Sequence, residues 1–169
     1  MPPKKSCNYS ISRPSTPTSY TSCSRSQSPK SSSSTIEIYT DGSALANSKT
    51  SFAGAAFYVP STKTLRAKGL LGTNNIAELS AIDYALWYSI QQKYTSVIIY
   101  SDSQYAINVV TGKYKATANE KLITRIKTKM EQLTVSFRKV AGHKGIEENE
   151  IVDKAARMAA LRLKKLAES

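Results

Sequence analysis

Beyond residue 34, apolar and polar positions along the chain fall into short regular runs. Ile36-Glu37-Ile38-Tyr39-Thr40-Asp41 is a β-branched and aromatic stretch that stops at a carboxylate followed by the small residues Gly42 and Ser43, and it reads as a strand over 35–41. Phe52 to Val59 forms a second strand, stopped by Pro60, and Leu65 to Leu71 a third. Between them, Pro60-Ser61-Thr62-Lys63 supplies the turn of a hairpin. Ile76, Leu79, Ile82, Leu86 and Ile90 then recur at steps of three and four, which predicts a helix from about Asn75 to Lys93. A fourth strand over 96–101 ends just before Asp102. A short helix follows from Ser103 to Thr111, closed by Gly112 at the position that favours a left-handed cap. Leu122, Ile126, Met130 and Leu133 mark one face of a helix over about 119–132. A fifth strand over 134–140 and a helix from near Glu147 to near Ala167 complete the pattern. Glu147, Glu148 and Glu150 in its first turn, and Lys164 and Lys165 in its last, suit the helix dipole.

The order strand, helix, strand from 35 to 101 implies a right-handed crossover that lays the first and fourth strands side by side and parallel. Their carboxyl ends carry Asp41 and Asp102. In an open α/β sheet that edge is where ligands bind. Glu78, in the first turns of the crossover helix, reaches for the same place, and Asp153 follows on the last helix after Gly142-His143-Lys144-Gly145. Carboxylates held a few ångströms apart repel, and some take up protons unless a cation intervenes. Hard divalent ions resolve that conflict, and ligation by carboxylates alone favours Mg²⁺ or Mn²⁺ over zinc.

Composition sharpens this reading. The 169 residues hold 24 Lys and Arg against 12 Asp and Glu, a net charge of +12. Acids are therefore scarce, and those at strand ends ask for a reason. The positive surplus favours a polyanionic partner, nucleic acid above all, with simple solubility as the plainer account. No apolar run is long enough to span a membrane. Cys7 and Cys23 both precede residue 34, which leaves no disulfide framework and no Cys-ligated zinc, and points to an intracellular chain without deciding between cytoplasm and nucleus. Residues 1–34 are rich in Ser, Thr and Pro, lack acids, and read as a disordered basic tail ahead of one domain over 35–169.

In order, Thr40-Asp41-Gly42-Ser43, Thr73-Asn74-Asn75-Ile76-Ala77-Glu78-Leu79, Ser101-Asp102-Ser103-Gln104-Tyr105 and Gly142-His143-Lys144-Gly145 with Asn149 and Val152-Asp153 resemble type 1 ribonuclease H over roughly Thr35 to Ala160. Each motif alone is common; the ordered set is specific. The resemblance implies an α/β RNase H-like fold: a five-stranded mixed sheet, three antiparallel strands then two parallel, flanked by helices. It implies an endonuclease that cuts the RNA strand of an RNA–DNA hybrid with two Mg²⁺ ions, Mn²⁺ being a substitute, and leaves 5′-phosphate and 3′-hydroxyl ends. Asp41, Glu78, Asp102 and Asp153 match the family's metal-binding carboxylates, with Asp41 shared between the ions. His143 matches a loop histidine linked to proton handling or product release. Asn74, Asn75 and Gln104 match positions that face 2′-hydroxyls and the minor groove; helix capping is the plainer reading for either asparagine. Thr73 and Asn119 match positions that hold a phosphate of the DNA strand, and Asn149 a polar residue near the active site. The resemblance also implies a monomer. Only Gly112 to Ala118 separates two helices where many members insert a basic, Trp-rich protrusion, so the chain resembles the form lacking it. Lys113, Lys115, Lys121, Arg125, Lys127 and Lys129 offer a replacement patch for phosphates. Two other readings stay open: a catalytically weak or inactive module that binds hybrid or double-stranded RNA, and a DNA nuclease of the same superfold.

Overall fold

Residues 34–45, 51–141 and 145–169 are described by a computed structural model. Their order is β1 (Thr35–Ala44), β2 (Phe52–Val59), β3 (Thr64–Leu71), α1 (Asn74–Gln91), β4 (Ser96–Ser101), α2 (Gln104–Val110), α3 (Glu120–Met130), β5 (Thr134–Lys139) and α4 (Glu147–Ala167). The sheet runs β3-β2-β1-β4-β5. β1, β2 and β3 pair antiparallel, whereas β4 joins β1, and β5 joins β4, in parallel. This is the mixed sheet expected from three consecutive strands followed by a crossover. The tail, the connection at 46–50 and His143 lie outside the described residues.

β1 is longer than the sequence pattern implies. Its ladder with β4 stops at Thr40 opposite Ser101, but its ladder with β2 continues from Asp41 opposite Ala56 to Ala44 opposite Ala53. Asp41 therefore stands where β4 releases β1, and Gly42 and Ser43 are strand residues rather than the start of a turn. The physical reason is the partner: backbone groups past Asp41 still find mates on β2.

Alternation along β1 sends Ile36, Ile38 and Thr40 into the larger core, where they meet Val97 and Ile99 of β4 and Leu79, Ile82 and Leu86 of α1. Complete burial of each large aliphatic side chain stabilises by about 1.5–3 kcal/mol before ordering entropy is subtracted. α1 is buried well beyond one stripe, because α3 packs on it as well as the sheet. Ala77, Ala81, Ala85 and Ser89 are the small residues that make this close packing possible. α4 covers the opposite face, seating Val152 and Ala156 over Ala56. Two glycines set how near the helices come. A Cβ on Gly42 would collide with the backbone of Ala77 and Glu78, and one on Gly54 with the Ala156 carbonyl.

Candidate active site

Four elements position the acidic residues. Asp41 sits inside β1 and is 5% exposed; Glu78 lies on the second turn of α1 and is 6% exposed. Asp102 directly follows β4. One carboxylate oxygen from each lies within 4.8 Å of the other two. Residues far apart in sequence thus converge at the edge where β1 and β4 part. Asp153, on α4, is not part of this close trio. Its carboxylate is 3.6 Å from Arg157 Nη2, one turn further along the helix. Its charge is nonetheless felt: it helps raise both Asp41 and Glu78.

Burial first, then the charges of Asp102 and Asp153, push the Asp41 carboxyl up to about 8. Burial again leads for Glu78, followed by Asp41 and Asp102, and carries it to about 9. The Gly42 backbone N–H opposes both shifts without cancelling them. Glu78 Oε2 and Asn149 Oδ1 are, among the described residues, the buried side-chain oxygens that lack a hydrogen-bond partner. An orphaned carboxylate oxygen in a crowd of carboxylates is what a divalent ion relieves. The donor set is all oxygen, so it fits a hard ion of the Mg²⁺ or Mn²⁺ kind.

The family model described as RNase H matches residues 33–161. The chain belongs to the RNase H family. It is 32% identical over 139 residues to the ribonuclease H of Actinobacillus succinogenes, covering 74% of this chain and 89% of that one. It is 33% identical over 139 residues to the ribonuclease HI of Haemophilus influenzae, with the same shares covered. With the ribonuclease H of Tropheryma whipplei it shares 35% over 136 residues, 72% of this chain and 81% of that one. In fold it is similar to the N-terminal RNase H domain of a Mycobacterium tuberculosis protein, solved as a fusion with maltose binding protein. That likeness has TM-score 0.66 and 19% identity, over 79% of this chain and 98% of the other. It is also similar to RNase H1 of Halobacterium salinarum, with TM-score 0.63 and 19% identity over 75% and 97% of the two chains.

In this RNase H, the polar residues picked out by resemblance have distinct local partners. Thr73 is the N-cap of α1, its Oγ1 accepting from Ile76 N at 3.4 Å. The capping role considered for Asn74 or Asn75 therefore belongs to Thr73, because the helix begins one residue earlier than its apolar spacing indicates. Asn74 does something else: its Oδ1 accepts from the Ala44 backbone N–H at 3.2 Å and ties α1 to the end of β1. Asn75 is exposed in the same first turn. Gln104 opens α2 and donates through Nε2 to Asn108 Oδ1 at 2.9 Å. Asn119 is the N-cap of α3 in the left-handed conformation (φ 62°), and its side chain makes no capping bond. Asn149 is buried in the first turn of α4, one turn before Asp153, so it neither caps that helix nor faces solvent; the N-cap is Ile146. The connection between α2 and α3 spans 111–119 with no added helix, the form lacking the protrusion.

Two contributors escaped the sequence pattern. Gly42 lets Glu78 approach Asp41, and its only signal is a glycine placed directly after the strand's carboxylate. Arg157 pairs with Asp153, and the i, i+4 spacing on a helix was the available sign.

Proposed function

We propose that this RNase H hydrolyses the RNA strand of RNA–DNA hybrids at the Asp41–Glu78–Asp102 trio, with Asp153 completing the site and two Mg²⁺ ions, or Mn²⁺ in their place, as cofactors. The observation that carries the reading is the meeting of three carboxylate oxygens within 4.8 Å at the parting of β1 and β4. Two ions, when bound, supply an activated water and offset charge on the leaving oxygen, which yields 5′-phosphate and 3′-hydroxyl ends. Asp41, whose charge is coupled to Asp102, Asp153 and Glu78, would hold the ions together with them and is the choice for the ligand common to both. Glu78 contributes an oxygen with no competing partner among the described residues. Asp153 reaches in from α4, and Arg157 holds it until the site is loaded. His143, which precedes α4 in the sequence, handles a proton or eases product release.

Hybrid is told from DNA by its 2′-hydroxyls, which need donors and acceptors set in the minor groove. With Asn74 Oδ1 occupied by Ala44, its amide NH₂ is the group left to meet such a hydroxyl. Gln104, with Nε2 engaged, offers its carbonyl oxygen, and Asn75 stands beside Asn74. A DNA-strand phosphate is held by Thr73 at the positive end of α1 and by the uncommitted side chain of Asn119. Asn149 orients Asp153. The catalytic unit is 35–169, acting as a monomer, and 1–34 is a separate basic segment.

The test is to incubate the protein with labelled hybrid, double-stranded RNA and DNA, with and without Mg²⁺. Metal-dependent cutting of only the hybrid's RNA is expected. Binding without cutting would make the chain an inactive module, and DNA cutting a different nuclease. Asp41→Asn should fold normally and lose all metal-dependent cleavage; wild-type turnover by that variant would place the centre elsewhere.

A further inference from the structure

A broad groove of about 900 Å³ on the helical face takes no part in the hydrolytic site. Its floor is the outer side of α1, where Tyr84, Trp87 and Tyr88 follow one another. Trp87, the sole tryptophan of the chain, is 53% exposed. Its exposed ring joins the two half-buried tyrosines in one aromatic patch. Cations stand on both sides: Arg66 and Lys68 on the edge strand β3, Arg125 and Lys129 on α3. Lys68 Nζ lies 5.9 Å from the centroid of the Tyr84 ring. The acid among the lining residues, Asp83, is almost wholly buried and engaged by both Arg125, at 2.9 Å, and Lys129. Its charge fixes the two α3 cations in place instead of repelling an incoming anion. The Arg125 side chain remains 57% exposed, so its other donors face outward.

We propose that this groove is a second nucleic-acid site, one that holds a single-stranded segment with bases stacked on Trp87 and its flanking tyrosines and phosphates met by Arg66, Lys68 and Arg125. The exposed Trp87 face, edged by the half-buried Tyr84 and Tyr88 and set between cations, has the chemistry of single-strand binding, since every unpaired base has a π-face to offer. A duplex hides those faces. An acidic peptide would satisfy the cations and leave the rings without partners. Glu78 and Trp87 share α1, about 14 Å apart along its axis at 1.5 Å per residue. Nine residues also set the two about 180° apart around the helix, so a strand leaving the end of a hybrid rounds α1 as it covers that length.

The site needs neither metal nor turnover, so binding can be read on the intact chain in EDTA. The probe is oligodeoxythymidylate of about a dozen nucleotides, within the length that single-strand sites cover. It should quench Trp87 emission saturably, with an affinity that falls with salt at a log–log slope of about −2, as expected for three phosphate contacts on a single strand. Trp87→Ala should weaken binding of a labelled oligonucleotide about tenfold, and Trp87→Phe should restore most of it. The double variant Arg66→Glu, Lys68→Glu should lose affinity to a similar degree. All three positions are exposed, so circular dichroism and cutting of blunt-ended hybrid should stay at wild-type levels. Oligonucleotide binding with Trp87 emission unchanged would assign the grip to another part of the chain and overturn the proposal. So would Trp87→Ala binding as well as wild type, or polyglutamate quenching Trp87 with equal affinity.

Discussion

Asp41 and Glu78 bear opposite demands from folding and from binding. Each has an ordinary carboxyl value when unfolded and a raised one, about 8 and about 9, when folded. The folded state therefore holds these protons more tightly than the unfolded state does. Stability from this source is complete below the unfolded values near pH 4 and is lost as pH rises through the folded ones. The Tm of the metal-free protein, taken relative to a Glu78→Gln variant, should fall between about pH 4 and pH 9. Mg²⁺ should recover much of the difference at the alkaline end by replacing the proton. A flat difference between the two proteins would mean that the acids are not crowded. That Asp41, Glu78 and Asp102 come together was legible beforehand, because Asp41 and Asp102 end runs that only strands explain and Glu78 lies early in the helix between them. That Asp153 stands apart, paired with Arg157, was not. Its reach depends on how α4 packs across the sheet, and no local spacing encodes that.

Packing between elements decides how well the site is assembled. At Gly42, β1 and α1 come so close that a single methyl group has no room beside the Ala77–Glu78 backbone. Gly42→Ala should cost about 1–3 kcal/mol in a urea melt, as over-packing does. It should also weaken Mg²⁺ affinity, because α1 moves Glu78 as it shifts. Wild-type stability with unchanged affinity would show that the contact is slack. Apolar runs, their spacing and the turn residues between them were enough to read these strands and helices, even though β2 and α1 are buried on more than one face. They did not mark that β1 runs on past Asp41 or that Thr73 caps α1. Those features depend on backbone partners from β2 and on the exact first turn of the helix, to which side-chain periodicity is blind. His143 lies outside the described residues, and its role rests on resemblance.

The whole molecule presents a net charge of +12 to a polyanionic substrate. Neutralising phosphates with Lys and Arg releases counterions, so hybrid affinity should drop by about tenfold or more between 50 and 200 mM salt. A salt-independent affinity, measured with the uncleaving Asp41→Asn variant, would remove electrostatics from substrate capture. Among the described residues no helix is long and apolar enough to cross a membrane. The Gly42 contact has one more consequence, for the choice of ion. Backbone pressed against backbone brings Asp41 and Glu78 together as a jaw of short span. Mg²⁺ takes oxygens at about 2.0–2.1 Å, whereas Ca²⁺ needs about 2.3–2.6 Å and more of them. Calcium should therefore compete for occupancy in titrations while supporting almost no cutting. Ca²⁺-driven cleavage at the Mg²⁺ rate would show that the jaw yields.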